Sequence, residues 1–171
     1  MKRSLFLVAL LVACLTAVGC KSTPKRQVSW AEGHVDVNTP EMLWQVVQLG
    51  FESQRLPVLA QFDPNTRMAE SGWDIQLAPF RGNGWREKAQ VRYERAKSGK
   101  GFEVEVRVVR DANMALANPL DLSYAIWEPR DDNTVRSRLL LRYLQNVTGT
   151  KPELPERPSG NAHRASPFET R

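Results

Sequence analysis

Two cysteines and two histidines are all that 171 residues contain of those two types. Cys14 and Cys20 fall within the first twenty positions, and His34 and His163 stand outside the periodic segments. Beyond residue 20 there is therefore no disulfide, no thiol nucleophile and no cysteine metal site. A Ser-His-Asp triad, a Cys-His pair or a multi-histidine metal centre is equally excluded from the expected core. Excess charge of one sign is missing there too. The formal charge is +5, yet residues 36–150 carry 15 Lys and Arg against 15 Asp and Glu. The basic surplus sits near the two ends, so the pI near 9.5 is no argument for nucleic acid. The predicted protein is not an enzyme, and neither cofactor, metal nor nucleic acid is expected.

What the chain has is a distinctive beginning. Met1-Lys2-Arg3 is basic, and Leu5 to Ala13 is an unbroken apolar run. Ala17-Val18-Gly19-Cys20 follows, and the chain turns polar at Lys21. This is the pattern of a secretory signal, and it is shorter than the ~20 apolar residues of a membrane span. Small residues directly before Cys20 make it resemble the signal of bacterial lipoproteins. The resemblance implies cleavage before Cys20 and lipid modification of that cysteine as the new N-terminus. Two departures are visible. Ala17 stands where the family prefers Leu, and Leu11-Val12-Ala13-Cys14 offers a rival site with a very short apolar core. An ordinary cleaved signal with an incidental cysteine is the plainer alternative. Lys21, in place of the Asp that retains such proteins in the inner membrane, leans the expectation to the outer membrane, facing the periplasm.

The expected organisation is a signal at 1–19, a lipidated tether at 20–37, one domain at 38–149 and a disordered tail at 150–171. The tail is proline-rich from Lys151 to Gly160 and poor in apolar residues beyond. Thr39-Pro40-Glu41 opens a helix, with a capping hydroxyl, a proline at the first helical position and an acid at the positive end of the dipole. Leu43, Val46, Val47, Gly50 and Phe51 form its apolar stripe. Gly50 costs ~1 kcal/mol against alanine, so a close approach is expected there. Short extended segments follow around Val58–Phe62 and Arg67–Leu77, the second with a bulge at Gly72. The clearest pattern is a hairpin. Ala89, Val91 and Tyr93 share one face with Phe102, Val104, Val106 and Val108, while Arg86, Lys88, Arg92, Glu94, Glu103, Glu105 and Arg107 occupy the other. Opposite charges across the strands favour pairing Arg92 with Glu105, Tyr93 with Val104 and Val91 with Val106. The connection through residues 111–130 is rich in Leu, Tyr, Ile and Trp and should pack on the domain. A second helix begins after Asp131-Asp132-Asn133, buries Leu140, Tyr143, Leu144 and Val147, and stops at Gly149.

Together these elements predict an α+β two-layer sandwich. An antiparallel sheet of three or four strands carries the N-terminal and C-terminal helices on its apolar face, and its charged face stays wet. In element order and lipid anchor this resembles the small periplasmic lipoprotein domains of outer-membrane assembly factors such as BamC and LptE.

Candidate chemistry is sparse. Glu103 and Glu105 could form a carboxylate pair, but neighbouring arginines make a solvated face of mixed charge the simpler account. Asp131-Asp132 reads as helix-terminal acids before it reads as a cation site. Phe80, Arg81 and Trp85, in a glycine-containing loop, and Trp127 are the candidate partner-binding residues, because Arg and aromatic side chains dominate binding hot spots. The expected function is that of a non-catalytic cell-envelope lipoprotein, lipidated at Cys20, that presents a small binding domain to an envelope protein. The alternatives are a carrier of an apolar ligand and a carboxylate-based envelope hydrolase.

Overall fold

The computed structural model describes residues 26–58, 61–63, 65–77 and 83–151. The signal, Cys20, the tail beyond Lys151, Phe80 and Arg81 lie outside the described residues.

The elements run β1 (Ala31–Val35), α1 (Pro40–Ser53), β2 (Gln61–Asp63), β3 (Met68–Glu70), β4 (Asp74–Gln76), β5 (Trp85–Arg95), β6 (Phe102–Asn113), a single 3₁₀ turn (Leu122–Tyr124), β7 (Trp127–Arg130) and α2 (Thr134–Val147). The class is α+β, as expected. The expected three or four strands is corrected: among the described residues one antiparallel sheet holds seven. Its order is β1-β6-β5-β3-β2, with β4 also paired to β5 and β7 also paired to β6.

The miscount has physical causes. β1 lies in the stretch read as tether, because its inward positions, Ala31 and Gly33, are too small to show apolar alternation. It pairs with β6 from Ala31↔Val106 to Val35↔Phe102, and it carries His34 opposite Glu103. β3 and β4 were one extended stretch in the sequence. Ser71 stays bonded as the chain bends between them: its amide donates to the Ala89 carbonyl at 3.0 Å, and its hydroxyl accepts the Ala89 amide at 2.9 Å. β7 contains Pro129, which an edge strand tolerates.

Helix α1 forms as its sequence dictates. The Thr39 hydroxyl accepts the Met42 amide at 3.2 Å and Pro40 starts the first turn. Asn133 caps α2 by accepting the Arg136 amide at 3.0 Å. Both helices cover the apolar sheet face. Leu43, Val47, Phe51, Leu140 and Leu144 close on Val35, Ala89, Val91, Phe102, Val104, Val106 and Val108. Val147, expected in the α2 stripe, is about half exposed, and Leu141 and Gln145 are buried instead. A Cβ on Gly50 would come within 2.8 Å of Leu140 Cδ1 and 2.9 Å of Leu144 Cδ2, the close approach the sequence pointed to.

β5 and β6 pair without interruption from Trp85↔Ala112 to Arg95↔Phe102, including Arg92↔Glu105, Tyr93↔Val104 and Val91↔Val106. Between the ends of β1 and β7, β6 has a short free edge. There the Val108 amide donates to Ser137 Oγ and the Asn133 amide donates to the Val108 carbonyl, each at 2.9 Å.

Candidate docking surface

Residues 114–126 join β6 to β7 at one end of the sheet. The expectation that they pack on the domain does not hold. Leu116 is 94% exposed, and Leu120, Leu122, Tyr124 and Ile126 are all more than half exposed. The backbone beneath them is nevertheless held by hydrogen bonds at the base of the loop. Asn113, itself buried, accepts the amides of Ala115 (3.0 Å) and Ile126 (3.1 Å) on its side-chain oxygen. Its amide nitrogen donates to the Pro119 carbonyl at 3.3 Å. Met114 N–H closes the base on the Ile126 carbonyl at 2.8 Å.

Within the loop, the Asp121 carboxylate caps the 3₁₀ turn. It accepts the Ser123 amide at 2.9 Å and the Ser123 hydroxyl at 2.5 Å. Those bonds, from the hydroxyl and then the amide, hold the Asp121 carboxyl below its ordinary pKa. Asn118 adopts φ 51°, the left-handed region that Asn tolerates better than most residues. A shallow open depression lies along Asn118 to Leu122 and Tyr124. Fixed backbone and solvated apolar side chains are the combination that marks contact surfaces.

The sheet face away from the helices is wet, as expected, only toward the β5–β6 turn, where Arg92, Glu94 and Glu103 are exposed. Trp30, Trp73 and Trp127 lie over this face, half-buried. Arg86 is sandwiched, its Cζ 4.2 Å from the Trp73 ring centroid and 4.8 Å from that of Trp127. Lys88 Nζ lies 5.3 Å from Trp73, and Arg92 Cζ lies 4.3 Å from Trp30. Most of these cations also have acids. Arg86 Nε meets Asp111 at 2.9 Å, Lys88 meets Glu70 at 2.9 Å, and Arg107 Nε meets Asp132 at 2.6 Å. Stacking and pairing together make this face a structural layer.

Of the acids singled out from the sequence, Asp131 and Asp132 are committed to structure, Asp131 by accepting the Gln27 amide at 2.9 Å. Asp132 is buried and accepts from Arg26, Arg107 and the Ser29 amide. Glu103 meets His34 Nδ1 at 3.3 Å on the exposed surface. A buried acid that sequence reasoning passed over is Glu87. It accepts from Arg136 Nη1 at 2.6 Å and Asn133 Nδ2 at 2.9 Å, and Arg110 Nε lies 3.5 Å away. Arg136 also joins Asp74 at 2.9 Å and donates to the Gln54 carbonyl, tying α2 to β4, β5 and the end of α1. Among the described residues no buried side-chain nitrogen or oxygen lacks a hydrogen-bond partner.

Of the predicted partner-binding residues, Trp85 and Trp127 are brought to the same end of the sheet, opposite Ala112 and Asn113. They lie on opposite faces. Trp85 is half-buried beside Arg110, whose Cζ is 5.3 Å from its ring, and Trp127 is held in the Arg86 stack. The exposed residues beside them are the leucines, tyrosine and isoleucine of the loop. Their signal was present in the sequence as an apolar connection carrying polar turn residues, Asn118-Pro119 and Asp121. Compared with models of known protein families and with curated protein sequences, the chain has no significant match.

Proposed function

We propose that the protein is a non-catalytic cell-envelope lipoprotein, anchored through a lipid-modified Cys20 and facing the periplasm. Its domain is a binding module whose contact surface is the loop end of the sheet. One observation carries the binding reading: an ordered loop, clasped by Asn113, holds Leu116, Leu120, Leu122, Tyr124 and Ile126 in solvent. Five such side chains would not be kept exposed on a fixed scaffold if folding alone had shaped the segment. Support for the anchor comes from the sequence at residues 1–20. The paired state of Glu87, Asp111 and Asp132 gives the carboxylate-hydrolase alternative nothing to build on at those acids.

Mass spectrometry of the mature N-terminus tests the anchor. The expected product begins at Cys20 and carries acyl chains, and Cys20→Ala leaves the membrane fraction. An unmodified N-terminus, or a Cys20→Ala protein that stays membrane-bound, refutes it.

A further inference from the structure

We infer that the apolar loop 114–126 seats on the lipid surface that holds the anchor, so that the domain rests loop-end down on its own membrane. This deepens the envelope-lipoprotein proposal and rests on it.

The argument is topological. β1 is antiparallel to β6, so the chain upstream of Ala31 runs in the direction in which β6 runs, toward the loop. That upstream segment is fixed. Asp132 binds the Arg26 guanidinium at 2.9 Å and the Ser29 amide at 2.9 Å, and the Gln27 amide donates to Asp131 at 2.9 Å. Arg26 therefore sits just past the C-terminal end of β7, whose other end adjoins the loop. The four residues of β7 cover roughly 10 Å. From Arg26 back to Cys20 is six residues, a reach of up to ~20 Å when extended. That reach is enough for an acylated Cys20 to lie level with the loop.

The opposite end of the sheet has the reverse chemistry. There the β5–β6 turn exposes Lys97, Ser98 and Lys100. A shallow seat suits the loop itself. Leu116, Leu120, Leu122, Tyr124 and Ile126 supply the apolar area, and the exposed Asp121 keeps its charge at headgroup level. Membrane attachment through acyl chains is strengthened by a second, independent contact, and this loop would be one.

The test uses the mature, acylated protein in phosphatidylethanolamine–phosphatidylglycerol vesicles, with a thiol-reactive environment-sensitive dye on L116C, L122C or, as the control, K100C. Flotation reports the anchor, and quenching by nitroxide-labelled lipids reports the seat. The expected result is flotation of all three, with quenching of about twofold or more at 116 and 122 and little at 100. Flotation with no difference among the three positions overturns the seat while sparing the anchor. Failure of the acylated protein to float overturns both. Capture of an envelope protein at Leu116 in intact cells, with no lipid quenching, assigns the loop to a protein partner and also overturns the seat.

Discussion

Asp132 shows how one side chain organises the start of the domain. Its carboxylate is wholly withdrawn from water, and Arg26 and Arg107 reach it with side chains only 24% and 15% exposed. Asp132→Ala leaves two guanidiniums without their partner, and breaking a buried pair of this kind costs about 3 kcal/mol. The expected outcome is a large fall in the urea midpoint and early proteolytic release of residues 26–30. Unchanged stability would show the clasp to be incidental. Glu70 gives a pH signature. Burial raises its pKa, but hydrogen bonds from Lys88 and Gln90 and the Lys88 charge outweigh this, and the net shift is downward from 4.5. A lowered folded-state pKa stabilises fully above the ordinary value, and that stability is lost as pH falls through the folded one. The urea midpoint should therefore hold from neutrality to about pH 5 and decline below it, with a shallower decline in Glu70→Gln. These pairings were not legible in the sequence. Asp131-Asp132 reads as helix-terminal acid because the contact to Arg26 spans 106 residues, and local pattern carries no such information.

At the scale of elements, legibility followed the strength of the local signal. The β5–β6 hairpin has strict alternation and charges that discriminate between registers, and its pairing was readable residue by residue. Helix α1 carried its cap, its proline and its stripe in plain view. β1 and β7 were missed because each is short and is held by the edges of β6 and not by its own composition. The 114–126 loop was misjudged for another reason. Apolar content argues for burial when folding is the only constraint, whereas here the polar clasp on Asn113 fixes the backbone and leaves the side chains out. The hairpin turn makes the element-scale prediction. Gly101 has φ 69°, and a Cβ there would lie 2.6 Å from both the Val35 carbonyl oxygen and His34 Nε2. Gly101→Ala combines left-handed strain with a backbone clash between β6 and β1, and should cost about 2 kcal/mol or more in urea unfolding. A stability within experimental error of the parent would mean that β1 sits more loosely on β6 than described.

At the scale of the molecule, three layers follow from one sheet. The helices close the apolar face, and tryptophans stacked on arginine and lysine finish the other. The loop end remains as an apolar surface on an ordered scaffold. Among the described residues no helix is long and apolar enough to cross a membrane. Legible in the sequence were the fold class and the placing of both helices on the apolar sheet face, because both rest on local apolar periodicity. The residues that form the surface emerged only once the loop was seen to turn its leucines outward. The claim that this end is in contact within the envelope is tested most directly by thiol accessibility in intact cells. Once the signal is cleaved and Cys20 acylated, an introduced cysteine is the only free thiol in the chain. The account predicts that L116C and L122C react slowly with a polar maleimide until detergent releases the protein, while K100C reacts fast throughout. Equal, rapid labelling of all three before detergent would contradict it.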